Sequence, residues 1–189
     1  MSDKEIKVIF LGENGVGKTS LIKRLINEDF KEDQYSTITA SFYTKSIKYE
    51  GKEYKFNIWD TAGNEKFRNL TKLFLKDVQI FVLVYDITKK KTFLELQYWL
   101  DYILEQYGPN NFIILIGNKS DLNKRQVKES DGAKFAEIIK AKFVNASAKN
   151  SEDFKQNFEY ILMDYLRSIN KPKKIDYYDD LDFLDDLLY

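Results

Sequence analysis

The 189-residue chain contains neither cysteine nor histidine. Without cysteine there is no disulfide, no thiol nucleophile and no thiolate-bound metal. Without histidine, Ser-His triads and histidine-ligated zinc are excluded as well. Net charge is also missing, because 30 lysines and arginines match 30 aspartates and glutamates. Such a balance creates no global field for nucleic acid or a membrane surface. No apolar run is long enough to cross a bilayer. The opening MSDKEIK is polar and leads into a strand-like run, unlike a secretory signal. These absences imply an intracellular, cytoplasmic protein.

What is present is enough for a core: 43% hydrophobic and 15% aromatic residues. Apolar runs alternate with segments of helical period. Ile6–Leu11, Ile80–Tyr85 and Phe112–Ile116 read as strands covered on both faces. Ser41–Tyr49 and Tyr54–Trp59 read as a hairpin turning at Glu50-Gly51. Lys142–Asn145 reads as a short strand. Helices are expected over 18–27, 93–106, 130–140 and 152–167. Alternation of this kind predicts an α/β domain: a mostly parallel six-stranded sheet, one antiparallel edge strand, and helices on both faces. Ligands of such sheets bind beyond the carboxyl ends of the strands. The domain is expected over 4–169, with Pro172 following its last helix.

The first such strand end carries GENGVGKT, Gly12 to Thr19. It fits G-x-x-x-x-G-K-[ST] between a strand and a helix, the setting this motif requires. Its glycines let successive N–H groups turn toward an anion, and the helix N-terminus adds a positive dipole end. Lys18 can bridge terminal phosphates, and Thr19 can offer a hydroxyl to Mg²⁺. The loop alone does not choose between ATP and GTP.

Two later strand ends choose. One carries Asn118-Lys119-Ser120-Asp121 and the next Ser147-Ala148-Lys149. A carboxylate at Asp121 can accept from both N1–H and the exocyclic amine of guanine, paired donors that adenine lacks. An unpaired buried carboxylate is costly, so discrimination can be steep. Lys119 and Lys149 have apolar stems able to lie along the base, and Asn118 can tie this loop to the phosphate loop. A solvated, amide-rich turn would explain either segment alone but not both beside a phosphate loop. The NKSD segment likewise disfavours an ATP-dependent kinase or motor.

GENGVGKT, YSTITASF, WDTAGNEKF, LVYDIT, NKSD and SAK, in this order and over about residues 5–168, resemble the Ras superfamily of small GTPases. KFNIWDTAG, EKFRNLT and LVYDIT are most similar to its Rab branch. The resemblance implies the P-loop small G protein fold, binding of GTP or GDP with Mg²⁺, and GTP hydrolysis. It implies nucleotide contacts from Glu13, Asn14, Gly15, Val16, Gly17, Lys18, Thr19, Ser20, Phe30, Thr37, Gly63, Asn118, Lys119, Asp121, Ser147, Ala148 and Lys149. It implies Mg²⁺ ligation by Thr19, Thr37 and Asp60, and catalysis by Lys18, Thr37 and residue 64. Phe42, Trp59 and Phe74 match an aromatic triad that effectors read; ordinary core packing is the competing explanation. An exchange factor and an activating protein are implied partners. The implied work is a molecular switch in vesicle traffic, in which the γ-phosphate orders two loops.

The sequence departs from that pattern. Asn64 stands where the family has the glutamine that orients the attacking water. One methylene fewer removes about 1.5 Å of reach at most. Slow intrinsic hydrolysis is the expectation, and a GTP-locked or nucleotide-insensitive scaffold is the rival. Asn14, Thr39 and Phe74-Leu-Lys-Asp-Val78 also depart from the Rab pattern. There is no cysteine to prenylate, so no lipid anchor is visible; any membrane association would be peripheral and through partners. Residues 170–189 are expected as an acidic, flexible tail. Leu181, Leu184 and Leu188 share one helical face, with aspartates on the others. Anionic lipid would repel it. The alternative to a free tail is docking on a basic groove of a partner or of the domain itself.

Overall fold

The computed structural model describes residues 4–27, 37, 40–150 and 152–170. Six strands form one sheet: β1 (Lys4–Leu11), β2 (Ser41–Tyr49), β3 (Lys52–Asp60), β4 (Ile80–Asp86), β5 (Phe112–Asn118) and β6 (Lys142–Asn145). Their spatial order is β2-β3-β1-β4-β5-β6. Only β2 runs against its neighbour, pairing Phe42 with Trp59 and Tyr49 with Lys52. The expected sheet is therefore the observed one. Glu50 and Gly51 close the hairpin with φ of 50° and 73°, the backbone a two-residue I′ turn demands.

Burial follows the sequence pattern. All seven residues of β4, IFVLVYD, are buried, as a strand covered on both faces requires. In β3 the alternation is strict: Tyr54, Phe56 and Ile58 are buried, while Lys55, Asn57 and Trp59 are half-exposed. Side chains on one sheet face join Leu21, Ile22 and Leu25 of α1 (Lys18–Leu25) and Phe158, Leu162 and Leu166 of α6 (Glu152–Asn170). Those on the other join Leu96, Trp99 and Ile103 of α4 (Leu96–Tyr107) and Ala136 of α5 (Glu129–Ile138).

Beyond shifts of one or two residues at several strand and helix ends, three features differ from expectation. The helix expected over 93–106 is two, α3 (Lys90–Leu94) and α4, divided at Glu95. Glu95 has ψ of −12°, and its carboxylate lies 2.7 Å from Arg68, a contact no local period encodes. A 3₁₀ turn (Glu65–Phe67) and the short α2 (Arg68–Leu73) follow β3, where the sequence shows no sustained period. Finally, α6 runs to Asn170, whose amide donates to the Leu166 carbonyl at 2.8 Å and accepts from the Tyr54 hydroxyl at 3.1 Å. Phe30, Thr39 and residues 171–189 lie outside the described residues.

Candidate nucleotide and cation site

The carboxyl ends of β1, β3, β4, β5 and β6 bring the chemistry together. Between β1 and α1 the chain turns through Gly12–Gly17. Gly17 has φ of 95°, and a β-carbon there would meet the Asn118 amide nitrogen at 2.3 Å, so only glycine fits. The Lys18 ammonium curls back over its loop, donating to the carbonyls of Gly12 at 2.8 Å and Glu13 at 3.1 Å. Burial lowers its pKa to about 8, against the opposing pull of Asp60 and Glu13. Gly63 presses on the same loop: a β-carbon there would lie 2.5 Å from both the Glu13 carbonyl oxygen and Lys18 Nζ.

Asp60 ends β3 fully buried. Its Oδ2 accepts from Thr19 Oγ1 at 2.6 Å and from Thr37 Oγ1 at 3.4 Å; the two hydroxyls are 3.1 Å apart. Its Oδ1 is buried with no hydrogen-bond partner. Burial pushes the carboxyl upward in pKa, against the Thr19 and Thr37 hydroxyls and the Lys18 charge. A buried carboxylate oxygen without a donor is expensive unless a cation meets it. Two converging hydroxyls and one carboxylate are hard oxygen donors suited to Mg²⁺. Among the described residues no group of three or more acids could hold a metal alone. The donor set therefore fits a cation that draws its remaining ligands from phosphates and water. Thr19, Thr37 and Asp60 are the residues that would hold it.

Asn118 is buried and joins three segments. Its Nδ2 donates to the Val16 carbonyl at 2.7 Å, and its Oδ1 accepts from the Ala148 N–H at 3.2 Å. Asp121 Oδ1 accepts from Ser147 Oγ at 2.5 Å, and that oxygen accepts in turn from the N–H groups of Lys149 and Asn150. A cavity of about 160 Å³ opens beside Asp121, with Ser120, Ser147, Asn150 and Phe154 also on its wall. Lys119 ties the same loops by its head, donating to the Gly15 carbonyl at 2.7 Å and pairing with Asp86 at 2.7 Å. Asn14 and Lys149 are exposed, and Ser20 is half-buried in α1.

Asn64 does not turn toward the phosphate loop through its oxygen. Its Oδ1 accepts from the Lys66 N–H at 2.9 Å and caps the 3₁₀ turn. Arg68, absent from the sequence expectations, reaches the loop instead. Its guanidinium donates to Glu13 at 2.6 Å and to Glu95 at 2.7 Å, and lies 4.3 Å over the Tyr98 ring. Asp86, quoted only as a letter of LVYDIT, anchors Lys119. Neither role has a local signal, since each depends on segments distant in sequence. Phe42 stands edge-on to Trp59 at 5.3 Å, and Trp59 stacks on Phe74 at 5.3 Å. The three rings thus form one contiguous stack: Phe42 is 52% exposed, while Trp59 and Phe74 are half-buried and pack against the core beneath.

The model of the Ras family matches residues 7–167. This chain belongs to the Ras family. Among relatives, Ras-related protein Rab-22A of Homo sapiens is 42% identical over 160 residues, covering 84% of this chain and 82% of the relative. Ras-related protein Rab-18-B of Danio rerio is 39% identical over 165 residues, covering 86% and 80%. Within the Ras family the chain is thus a Rab-like small GTPase, with the P-loop fold expected of one. Binding of guanine nucleotide with Mg²⁺ and dealings with effectors, exchange factors and activating proteins are general to such GTPases. No helix among the described residues of this GTPase is long and apolar enough to cross a membrane.

Proposed function

We propose that this GTPase is a GTP/GDP switch in vesicle and membrane traffic whose own hydrolysis is slow. The junction at Asp60 carries the reading: a buried carboxylate with one unpartnered oxygen, joined by the hydroxyls of two separate segments, Thr19 and Thr37. Thr37 belongs to a segment that a metal-bound γ-phosphate would retain and its loss would release. Mg²⁺ there would neutralise phosphate charge and draw Thr37 to the site. Glu13 to Ser20 would cradle the phosphates through backbone N–H groups, with Lys18 as the fixed cation. Asp121, held by Ser147, would accept from guanine, flanked by Lys119, Ala148, Lys149 and Phe30. Gly63 would meet the γ-phosphate through its N–H. Phe42, Trp59 and Phe74 would receive effectors, and endomembrane association would be peripheral and through partners.

Isothermal calorimetry in Mg²⁺ buffer tests this. Guanosine triphosphate should bind at least 100-fold more tightly than adenosine triphosphate. Asp121→Ala should erase that preference, since two charge-assisted hydrogen bonds are worth roughly 3–6 kcal/mol. Equal affinity for both nucleotides in the unaltered chain would discard the reading.

A second reading, a GTP-locked or hydrolysis-deficient scaffold, is favoured by the engagement of Asn64 with Lys66. Extraction of the co-purifying nucleotide separates the two. GDP indicates turnover, and GTP that persists for hours at 25 °C indicates the scaffold.

A further inference from the structure

The apolar surface around Trp59 is larger than the three-ring stack. Leu70 and Leu73 of α2 stand three residues apart, hence on one helix face, and are 39% and 73% exposed. Phe74 follows directly and stacks on Trp59. The remaining exposed large apolar residues, such as Leu94, Leu122 and Ile138, lie on other elements. Cations border the patch. Lys7 Nζ is 5.1 Å above the Trp59 ring; Lys72 Nζ lies 4.5 Å from Tyr102 and 5.3 Å from Tyr98. Lys66 and Lys76 are exposed on the same stretch, with Glu65 and Asp77 as its acids. The ion pairs among the described residues do not include Lys72, while Lys7 Nζ donates to the Lys76 carbonyl at 2.8 Å and has Asp77 as an opposing charge.

The chain carries a segment of the opposite character. All 30 basic residues lie in 1–174, together with 24 of the 30 acidic ones, which leaves that part at +6. Residues 175–189 hold the other six acids, all aspartates, and no basic residue, hence −6. Between the aspartates run Leu181, Leu184 and Leu188, one stripe at helical spacing. The starting point is favourable. Asn170 is hydrogen-bonded to Tyr54 near the start of β3. Trp59 lies five residues further along that strand, roughly 17 Å away at 3.3 Å per residue, but on the opposite face of the sheet, so the linker must also pass round the edge strand β2. The ten residues 171–180 span up to about 33 Å when extended.

We propose that residues 176–189 dock on the domain's own face at Phe42, Trp59, Leu70, Leu73 and Phe74. The leucine stripe covers the apolar centre, and the aspartates meet Lys7, Lys66, Lys72 and Lys76. Docking stands on the patch, the charges and the reach. Its consequence, occlusion of an effector surface, rests on the reading given under Proposed function. The tail is then an intramolecular competitor, and its effective concentration, in the millimolar range for a short linker, is one a partner must overcome.

The absence of cysteine makes the test direct. Tyr189→Cys in the nucleotide-loaded full chain gives a single site for a nitroxide label. Paramagnetic broadening should fall on amides of residues 42, 59 and 70–74, cutting their intensities at least twofold. It should vanish in Leu181→Ser/Leu184→Ser/Leu188→Ser and weaken in 0.5 M NaCl, as screening shortens the reach of charge. Fluorescence offers a readout without a label. Trp99 is 2% exposed, so acrylamide quenching reports mainly Trp59. The triple serine variant should be quenched at least twofold more steeply than the unaltered chain. Broadening spread evenly, centred on another face, or rising with protein concentration, as pairing with a second copy would give, overturns the proposal. Equal quenching of the two chains does the same. None of these outcomes involves an effector, so a failed docking test leaves the nucleotide reading intact.

Discussion

The Arg68 guanidinium and the Glu13 carboxylate, 2.6 Å apart, join the start of α2 to the phosphate loop. Glu95 at the head of α4 takes a second hydrogen bond from Arg68, and Tyr98 covers the guanidinium face. One side chain therefore spans three segments whose spacing would otherwise be set by loops. Arg68 is 19% exposed and Glu13 16%, so screening by solvent is partial. Arg68→Ala strands two carboxylates and should destabilise the fold by about 1–3 kcal/mol. At roughly 2–4 °C per kcal/mol for a domain of this size, a thermal melt resolves the loss. Arg68→Lys should recover only part of it, because an ammonium can still donate to both acids but has no planar face to stack on Tyr98. Amide exchange rising across 64–73, with the core strands unchanged, is the expected local signature.

Asn64 is held in a competing role. Its oxygen caps the 3₁₀ turn through the Lys66 N–H, and its side chain is one methylene shorter than glutamine. Both facts separate it from an attacking water. Asn64→Gln should raise single-turnover GTP hydrolysis by up to roughly 100-fold, the effect of about 1 Å in placement. Nucleotide affinity should stay within twofold. Losing the cap should cost about 1 kcal/mol in stability, read from the same melts. If the glutamine chain hydrolyses no faster, reach at this position is not what limits the rate.

How far the sequence reached can be judged residue by residue. The places of Lys18, Thr19, Asn118 and Asp121 at the carboxyl ends of strands were legible because each sits in a short motif whose spacing encodes its local geometry, and a mostly parallel sheet with one antiparallel edge strand followed from alternating periods, though its strand order did not. The turn at Glu50-Gly51 was legible for the same reason. The Arg68 clasp was not, because residues 13, 68 and 95 carry no mark of their mutual approach. The break at Glu95 coincides with that clasp and was equally hidden. Lys119 shows a subtler limit. Its stem is expected to lie along a base, and nothing in that expectation places its ammonium, which is held by Gly15 and Asp86. The Asn64 cap could have been read, since an Asn before a tight turn bonding two residues ahead is a local signal.

Asp86 gives a pH dependence of definite sign. Burial pushes its carboxyl upward, but the Lys119 charge and two donors on Thr88 outweigh burial, and the net pKa lies below the ordinary carboxylate value. A depressed carboxylate contributes stability that is complete above its unfolded pKa of about 4 and is lost as pH falls through the lower folded value. Acid denaturation should therefore release the Asp86–Lys119 pair, and with it the tie from Lys119 to Gly15. Asp86→Asn should lower stability at pH 7 and flatten its decline below about pH 4. Urea melts at pH 7 and pH 3 measure both; parallel slopes for the two chains would remove Asp86 from the account.

The orphan oxygen of Asp60 yields a prediction in which the fold and the site move in opposite directions. Oδ1 is buried without a partner, and desolvation already disfavours the charge. A neutral amide at this place keeps an acceptor for Thr19 but sheds a buried charge that Lys18 and the two hydroxyls only partly offset. With chelator present and GDP bound, Asp60→Asn should melt no lower than the unaltered chain. Added Mg²⁺ reverses the order. The unaltered chain gains RT ln(1 + [Mg²⁺]/Kd), about 2.7 kcal/mol at 100-fold excess over Kd, while Asp60→Asn gains little. Chelation should likewise speed GDP release from the unaltered chain and leave Asp60→Asn nearly unaffected. Thr19→Ala, which leaves the carboxylate in place but deletes a hydroxyl ligand, should fall between them. An equal Mg²⁺ response from all three chains would mean that the cation is held elsewhere, and that Asp60 is a structural acid whose cost the fold sustains for another reason.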